Sequence, residues 1–296
     1  MPILDAELLR AFVAFADTLN FTRAARLVHL SQPALFERVR RLSERLEVRL
    51  YERTGRSVRL TEAGSSLAAF ARETLSRSEA FVRELRGEAR NETVTLAAGE
   101  GSWLYCLGPA VARFTERGVG ALRPLTLGAQ AASEAVRSGQ ADLAFTVLDV
   151  VPSGLVAEEV LRVPMCAALP ARHRLARAPR LQLDDLATER LVLPPAGRLY
   201  RDLVARFVAK SGAELAAPIE ADGWPLMLSF VRAGLGIAVV NGSCVAPPGV
   251  RLRELPELGT VTYRLVQRRG GELSPTARLL VEDLRALRSR RSAGPR

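Results

Sequence analysis

The segment Ser31-Gln32-Pro33, together with the apolar residues that follow it, constrains the fold of this chain more than any other stretch. Ser31 can accept a hydrogen bond from a backbone N–H of the next turn, and Pro33 fits a first helical turn, where its missing N–H has no partner. Apolar residues then recur at i, i+4, i+7 and i+11: Leu35, Val39, Leu42 and Leu46. At 100° per residue they form one narrow stripe, which predicts a helix that packs along that side.

The opposite side of this helix is polar and basic. Measured from Leu35, the residues that point away from the stripe are Pro33, Glu37, Arg40 and Arg41, with Gln32 and Phe36 on one shoulder and Arg38 on the other. Two helices are predicted before it: an amphipathic one that ends at Asn20, and a short one from Arg23 to His29 that Thr22 is placed to cap. Three helices with a tight turn before the third predict a helix-turn-helix, whose third helix can enter the major groove of DNA.

Residues 50–61 contain two short β-like runs about Thr54-Gly55, which predict a hairpin beside the third helix, a wing. Residues 21–60 carry ten arginines and four glutamates, a net charge of +6 within a chain of net +10. Arginines on the helices and the wing, among them Arg23, Arg53 and Arg56, can neutralise phosphates and release counterions. The charge thus favours nucleic acid as a partner, with a membrane surface as the other anionic candidate.

The composition and residue spacing disfavour several classes of protein function. No apolar run reaches the length of a membrane span, and the start of the chain lacks the pattern of a signal peptide, so we expect a cytoplasmic protein. The two histidines and three cysteines show no metal-ligand or nucleophile spacing. We therefore expect no catalysis, no metal ion and no cofactor.

The N-terminal motifs resemble those of the LysR-type transcriptional regulators. The matching segments, in chain order, are residues 21–25, Leu27, residues 31–35, Leu42, Leu46, residues 50–53 and residues 58–64. The chain departs from the family pattern at Phe36, where Ser is usual, and at Glu37, where a basic or small residue is usual. Phe36 could contact a thymine methyl group and Glu37 could accept from a cytosine amino group, or neither side chain touches a base.

A long helix is predicted from Thr61 to Gly87, about 38 Å in length. Its apolar side is formed by Leu67, Ala71, Leu75, Val82 and Leu85. The resemblance implies that this linker helix pairs with its copy in a homodimer, which predicts an operator with two half-sites related by a two-fold axis. A tetramer remains an alternative to the dimer.

After residue 91 strands alternate with helices, which predicts α/β architecture with parallel strands. One series runs from about 93 to 148 and includes a single helix from about Trp103 to Glu116. A second series begins with a strand at Met165 and runs to about 240. The closing strand near 261–269 and the helix from Ser274 fit best on the first sheet. Residues 139–145, 233–238 and 273–278 resemble the LysR effector-binding domain, which has two lobes joined by two crossing strands and is similar to periplasmic solute-binding proteins.

The resemblance covers essentially the whole chain and implies a multidomain fold of three parts. These are an all-α winged helix-turn-helix domain (1–60), a linker helix (61–90), and an α/β, two-lobed effector-binding domain (91–296) with lobe I at about 91–163 and 266–296 and lobe II at about 164–265. The implied partners are double-stranded DNA, an unidentified small-molecule effector, other copies of the chain and RNA polymerase, with no membrane.

Ligands of such folds lie between the lobes, outside the carboxyl ends of strands. The candidate effector-binding residues are therefore Glu100, Gly101, Ser102, Gln130, Thr146, Arg198, Tyr200 and Trp224. Arg198 could hold a carboxylate, and Trp224 could cover an apolar part of the effector. Gly99 and Gly101 do not complete a dinucleotide loop, because Leu104 stands where the third glycine is needed.

Two other classes are weighed against this interpretation. In a thiol-based sensor, Cys166 and Cys244 would form a disulfide on oxidation. In the other class, an enzyme or a solute carrier is built on the two-lobed domain, which the intact DNA-binding half disfavours.

Overall fold

In the computed structural model of this 296-residue chain, the described residues are 4–54, 57–85, 92–186, 188–197, 199–210 and 219–288. The chain begins with three helices: α1 (Ala6–Thr18), α2 (Phe21–Leu27) and α3 (Gln32–Leu46). The predicted start of α3 is confirmed, since Ser31 Oγ accepts from the N–H of Ala34 at 3.3 Å. Leu35, Val39 and Leu42 are fully buried in the core that α3 shares with α1.

The predicted cap of α2 is wrong. Asn20, not Thr22, is the cap, and its Oδ1 accepts from the N–H of Arg23 at 3.0 Å. Asn is an equally good cap, and the earlier start makes Phe21 the first helical residue, so that its ring stacks on Phe15 with centroids 4.2 Å apart. The helix ends at Leu27, two residues before the predicted end, and His29 lies in the left-handed region at φ 54°.

The predicted wing is confirmed: β1 (Tyr51–Thr54) and β2 (Ser57–Leu60) pair antiparallel. The long helix α4 (Glu62–Leu85) follows, capped by Thr61, whose Oγ1 accepts from Gly64 N–H at 3.0 Å. Its predicted apolar side divides in two. The first half, with Leu67, Ala71 and Leu75, joins the core of α1, whereas Val82 is 41% exposed.

Lobe I begins with a parallel sheet in the order β4-β3-β5. Its elements are β3 (Glu92–Ala98), α5 (Glu100–Tyr105), α6 (Gly108–Glu116), β4 (Gly120–Thr126), α7 (Ala129–Arg137) and β5 (Leu143–Val147). The single helix expected from Trp103 to Glu116 is instead two, α5 and α6. The break is at Leu107, because Pro109 in the first turn of α6 cannot donate a backbone hydrogen bond.

A 16-residue strand, β6 (Leu155–Pro170), runs from one lobe into the other. Beside it runs β11 (Thr260–Arg268), antiparallel to β6 and to β5. The residue pattern predicted only the second half of β6, from Met165 onward, while the resemblance implied two crossing strands. These two strands make one continuous sheet of both lobes, in the order β4-β3-β5-β11-β6-β9-β7-β8, with β10 on β6.

Lobe II contains the remaining strands and two helices: β7 (Leu191–Leu193), α8 (Leu199–Lys210), β8 (Ile219–Glu220), α9 (Trp224–Arg232), β9 (Ile237–Asn241) and β10 (Val250–Glu254). Short 3-10 helices lie at Arg174–Arg177, Leu183–Leu186 and Pro256–Leu258. The strand β10 was not foreseen from the sequence.

The last helix, α10 (Pro275–Arg285), returns to lobe I as predicted and packs on α6. Asp283, only 2% exposed, joins the two helices by accepting from Arg113 Nε at 3.3 Å and Arg117 Nε at 3.0 Å. Within the described ranges, no helix is both long and apolar enough to cross a membrane.

Gly64 allows the wing and α4 to meet. A Cβ at this position would lie 1.8 Å from the carbonyl oxygen of Leu50. We expect Gly64→Ala to lower the free energy of unfolding by about 2 to 3 kcal/mol, because the helix must move off the strand that enters the wing. Chemical denaturation of the full chain, followed by circular dichroism, measures the loss.

Gly108→Ala is the matched control, since a Cβ there meets no atom within 4 Å and the residue is helical. It should leave stability unchanged or raise it by about 0.5 to 1 kcal/mol. Equal stability of the two variants would contradict the close approach at Gly64.

Candidate nucleic-acid interface and effector cavity

One face of α3 is exposed even with both lobes of the C-terminal domain present. The exposed residues are Gln32, Pro33, Phe36, Glu37, Arg40 and Arg41, and Ser31 and Thr22 are exposed beside them. Thr22 Oγ1 donates to Gln32 Oε1 at 3.2 Å, across the turn between α2 and α3. This hydrogen bond positions the side chain of Gln32, the first residue of α3, relative to α2.

Glu37 and Arg40 form a two-fold hydrogen-bonded ion pair. Arg40 Nε and Nη2 donate to the two Glu37 oxygens at 3.0 and 2.9 Å, and Arg40 Nη1 lies 3.3 Å from Glu44 Oε1. The hydrogen bond from Arg40 holds the pKa of Glu37 below its ordinary value, so the carboxylate is charged at neutral pH. In this state the charge of Arg40 is engaged by two carboxylates and is not freely available to a phosphate.

Phe36 belongs partly to the aromatic core. Its ring meets Phe21 edge to face at 5.3 Å, while 39% of the residue remains exposed. The departure from a small polar residue at this position therefore has a packing role, and only one side of the ring faces solvent.

Other arginines of this unit have no salt bridge in the part of the chain that is described. They are Arg23, Arg26, Arg41, Arg45, Arg49 and Arg53, all exposed. By contrast Arg38 pairs with Glu7 at 3.2 Å and Arg59 with Glu52 at 2.7 Å. Arg56 lies outside the described residues. Arg26, Arg45 and Arg49 were not among the predicted site residues, although the charge count of residues 21–60 already included them.

A cavity of about 1310 Å³ lies between the two lobes. Seven of the eight predicted effector-binding residues line it together: Glu100, Gly101, Ser102, Gln130, Thr146, Tyr200 and Trp224. The eighth, Arg198, lies outside the described residues, between the lining residues Gly197 and Tyr200.

Trp224 and Gly101 bring the lobes into contact at one end of the cavity. A Cβ at Gly101 would lie 2.8 Å from Trp224 Cε3, so the indole ring rests directly on this glycine. Tyr105 of lobe I stacks with Trp224 at 6.3 Å, and Tyr200 of lobe II meets it edge to face at 5.4 Å.

Glu100 crosses the same gap. Gly223, at φ +88°, would place a Cβ 2.8 Å from Glu100 Oε2, so the carboxylate of lobe I lies against the residue that precedes α9. The N-terminus of a helix carries partial positive charge, which favours a carboxylate at this place.

A buried polar network supports the floor of the cavity. Asn241, with no exposed surface, donates from Nδ2 to Tyr263 Oη at 2.8 Å and to Tyr200 Oη at 3.1 Å. Burial raises the pKa of Tyr200 to about 12, so its hydroxyl stays neutral. Sequence reasoning missed Tyr263 because it considered loops after strands, whereas this side chain comes from the crossing strand β11.

Two hydroxyl groups at the cavity wall have no hydrogen-bond partner among the described residues. Ser102 and Thr146 are each 5% exposed and line the cavity, and their side chains have no hydrogen bond to any described residue. The residues predicted from the sequence also did not include the acidic lining residues Glu134, Asp149 and Asp222. Of these, Asp222 could have been indicated by the order of elements, because it lies close to Trp224 in the sequence.

The three cysteines, Cys106, Cys166 and Cys244, are buried. Burial raises the pKa of the Cys244 thiol, and the neighbouring Cys106 and Cys166 raise it further. Since Cys106 and Cys166 both act electrostatically on the Cys244 thiol, the three cysteines lie in one region of the fold. In the ranges described above, no group of His, Cys, Asp and Glu could hold a metal ion.

Comparison with known proteins agrees with this architecture. Residues 87–288 match the family model of the LysR substrate binding domain, and residues 6–65 match that of the bacterial regulatory helix-turn-helix proteins of the lysR family. The transcriptional regulator CatR of Pseudomonas putida is 30% identical over 289 residues, which cover 92% of this chain and 95% of CatR.

Two solved structures show the same fold over the whole chain. A full-length variant of OxyR from Pseudomonas aeruginosa has a TM-score of 0.73 at 20% identity and covers 96% of both chains. Full-length CbnR in complex with its target DNA has a TM-score of 0.60 at 21% identity, over 96% of this chain and 100% of CbnR.

The predicted fold class is thereby confirmed, with a helix-turn-helix domain in front of a two-lobed effector-binding domain. The family model of the second domain alone matches more than half of the chain. The chain belongs to the LysR family of DNA-binding transcriptional regulators.

Proposed function

We propose that this LysR-type regulator binds its operator through the exposed face of α3, with α2 and the wing on either side. The observation that carries the proposal is the exposure of that face beside arginines that have no salt bridge to any described residue. The residues assigned to the interface are Thr22, Arg23, Ser31, Gln32, Pro33, Phe36, Glu37, Arg40, Arg41 and Arg53, with Arg56 outside the described residues.

These residues have different tasks. Arg23, Arg41 and Arg53 neutralise phosphates, which supplies affinity without sequence preference. Gln32 stands at the start of α3, held by Thr22, and contacts base edges. Glu37 holds Arg40 away from the phosphates until a base amino group or a phosphate replaces one partner of the pair.

The division into residues 1–60, 61–90 and 91–296 assigns dimer formation to α4. Phe70, Phe81 and Val82 support this assignment, because they are 51%, 59% and 41% exposed along a helix that its own chain leaves partly uncovered. A second copy would cover them and would present two α3 helices to half-sites related by a two-fold axis. The protein then acts in the cytoplasm, where it meets promoter DNA and RNA polymerase, as a dimer or a tetramer.

The interlobe cavity is proposed as the effector site, with Glu100, Gly101, Ser102, Gln130, Thr146, Tyr200 and Trp224 as contacts. A ligand that binds both lobes favours their closed arrangement by its differential affinity for that state. The carboxylate of Glu100 and the ring of Trp224 already cross the gap, which supports a closing motion about β6 and β11.

A polar joint between lobe I and the DNA-binding unit offers a route for that motion. Arg72 of α4 donates to the carbonyl oxygen of Ser138, which follows α7, and to Asp17 of α1. Gln140 Nε2 donates to the same Asp17 oxygen at 3.5 Å. Since the first residues of α7 line the cavity, this helix connects the effector site at one end with the joint at the other.

The joint is incompletely satisfied. Arg268 of β11 reaches Glu73 of α4 at 3.3 Å, but its buried Nη1 and the buried Nε of Arg72 have no hydrogen-bond partner among the described residues. Buried donors without acceptors cost free energy, so this contact is easier to open than an apolar core. We infer that the joint has two arrangements, and that the effector selects between them.

The thiol sensor is the second candidate and has less support. A disulfide between Cys166 and Cys244 requires a thiolate, and burial raises the pKa of Cys244. The proposed function therefore uses a bound small molecule and not oxidation of these residues.

Arg41→Ala should weaken binding of any duplex about fivefold at low salt and reduce the dependence of log K on log salt by about one. Glu37→Gln should strengthen binding and change sequence preference, because it frees Arg40 from a charged partner. Fluorescence anisotropy with a labelled operator and a mixed-sequence duplex, at several salt concentrations, measures both effects. Arg123→Ala, on the exposed part of β4, is the control; equal losses for Arg123→Ala and Arg41→Ala would refute the assigned interface.

Arg72→Gln should loosen the joint. Amide hydrogens of residues 136–141 and 14–19 are expected to exchange about tenfold faster in this variant, since local opening then costs less. Hydrogen exchange with mass spectrometry on the intact protein measures the change, with Arg123→Gln as the control. Unaltered exchange in both segments would mean that Arg72 does not hold lobe I to the DNA-binding unit.

The cysteines should react with a thiol reagent only after unfolding, because the raised pKa of Cys244 keeps its thiol protonated at neutral pH. By the same shift, the contribution of Cys244 to stability is present below the pKa of an unfolded thiol and falls as pH rises above it. Thiol counting before and after mild peroxide, with DNA affinity measured alongside, checks the first point. Rapid loss of thiols together with altered DNA affinity would favour the sensor.

A further inference from the structure

Glu37 and Arg40 lie side by side on the outermost line of α3. Counted at 100° per residue from the buried Leu35, Arg40 points to about 140° and Glu37 to about 200°, on either side of the direction opposite the core. Their side chains are 53% and 52% exposed. Because α3 is the helix proposed to enter the major groove, this pair faces the edges of the bases.

A second carboxylate stands beside this pair. Glu44, 60% exposed, lies 3.3 Å from Arg40 Nη1, so two carboxylates surround one guanidinium. Together the three groups carry a net charge of −1, which the phosphates of DNA repel. A carboxylate accepts hydrogen bonds and donates none. Glu37 therefore contributes to binding only where the DNA offers a hydrogen-bond donor.

The major groove has donors on two bases, the N4 amino group of cytosine and the N6 amino group of adenine. In an A·T pair the amino group of adenine stands between two acceptors, its own N7 and O4 of thymine, so a carboxylate bound to it has an acceptor on each side. In a C·G pair the amino group of cytosine stands at the end of the row, and O6 and N7 of guanine follow it. This order of donor, acceptor and acceptor matches one carboxylate beside two N–H donors.

Arg40 has the donors that this order requires. Its Nε and Nη2 donate to the two oxygens of Glu37 at 3.0 and 2.9 Å. A planar guanidinium has five N–H donors, so three remain, with at least one on each terminal nitrogen. The terminal edge of arginine is the edge that binds O6 and N7 of guanine. The amino group of cytosine can take the place of Nη2 at Glu37 Oε1, while the bond from Nε to Oε2 keeps the two side chains together.

We propose that Glu37 and Arg40 together read one C·G base pair in each operator half-site, with the Glu37 carboxylate on the amino group of cytosine and Arg40 on O6 and N7 of guanine. The proposal rests on the proposed contact of α3 with the operator and adds the base pair that this side of the helix selects. It also gives a role to Glu37 at a position where the family pattern has a basic or small residue.

Selection from duplexes with a randomised segment identifies the sequence that the full chain prefers. The bound duplexes are sequenced, and the selection is repeated with Glu37→Gln and with Arg40→Gln. Fluorescence anisotropy then measures the affinity of each protein for the selected duplex and for duplexes in which one base pair is changed. Glu52→Gln is the matched control, because Glu52 and Arg59 form an exposed ion pair at 2.7 Å on the wing of the same unit. Circular dichroism checks the fold of each variant.

We expect the wild type to select a C·G pair in each half-site and to lose about tenfold in affinity when that pair is replaced by T·A or A·T. Glu37→Gln should remove most of this discrimination at that base pair alone. It should also shift the selected base from cytosine toward adenine, whose N6 and N7 suit a carboxamide. Arg40→Gln should weaken discrimination at the same base pair, and Glu52→Gln should leave it unchanged.

Selection of the wild-type sequence by Glu37→Gln would overturn the proposal. Changes of preference at different base pairs for Glu37→Gln and Arg40→Gln, or a base pair other than C·G at the position that both affect, would also overturn it. These results leave the proposed function intact, because the wild type has still selected a DNA sequence. If the wild type enriches no sequence, the proposed function is itself contradicted, and this proposal with it.

Discussion

The burial of one side of α3 is the constraint on which the proposed DNA-binding surface depends. Leu35, Val39 and Leu42 have no exposed surface. Their burial fixes the rotation of α3 about its own axis. Because side chains on a helix are 100° apart, fixing the inner side also fixes the direction of Gln32 and Arg41. The Thr22 to Gln32 bond and the aromatic contact of Phe36 then adjust this surface locally.

The two crossing strands have the corresponding role in the C-terminal domain. β11 pairs along its whole length with residues 155–164 of β6, and β6 continues into lobe II, so a cavity forms between lobes that share one sheet. Tyr263 reaches the cavity floor from β11, and Arg268, five residues further along the same strand, reaches α4. One strand thus contacts both the interlobe cavity and the joint with the helix-turn-helix unit.

Charge is distributed unevenly between these two sites. Among the described residues, the N-terminal unit carries exposed arginines without salt bridges, whereas the charged residues that line the interlobe cavity are Glu100, Glu134, Asp149, Asp222 and Arg137. The ion pair of Glu37 and Arg40 is an exception within the basic unit, because the charge of this arginine is engaged by a carboxylate of the same helix.

The sequence by itself determined the helix-turn-helix, the wing, the return of the last helix to lobe I and seven of the eight candidate cavity residues, because helix caps, apolar spacing and strand order act over short distances. It did not determine the break between α5 and α6, the first half of β6, or β10. Only the tertiary structure decided that Arg40 is paired, that Phe36 packs on Phe21, that Tyr263 enters the cavity and that Arg72 joins α4 to lobe I. These are contacts between side chains whose partners depend on rotamer and on distant packing, which residue spacing along one chain does not specify.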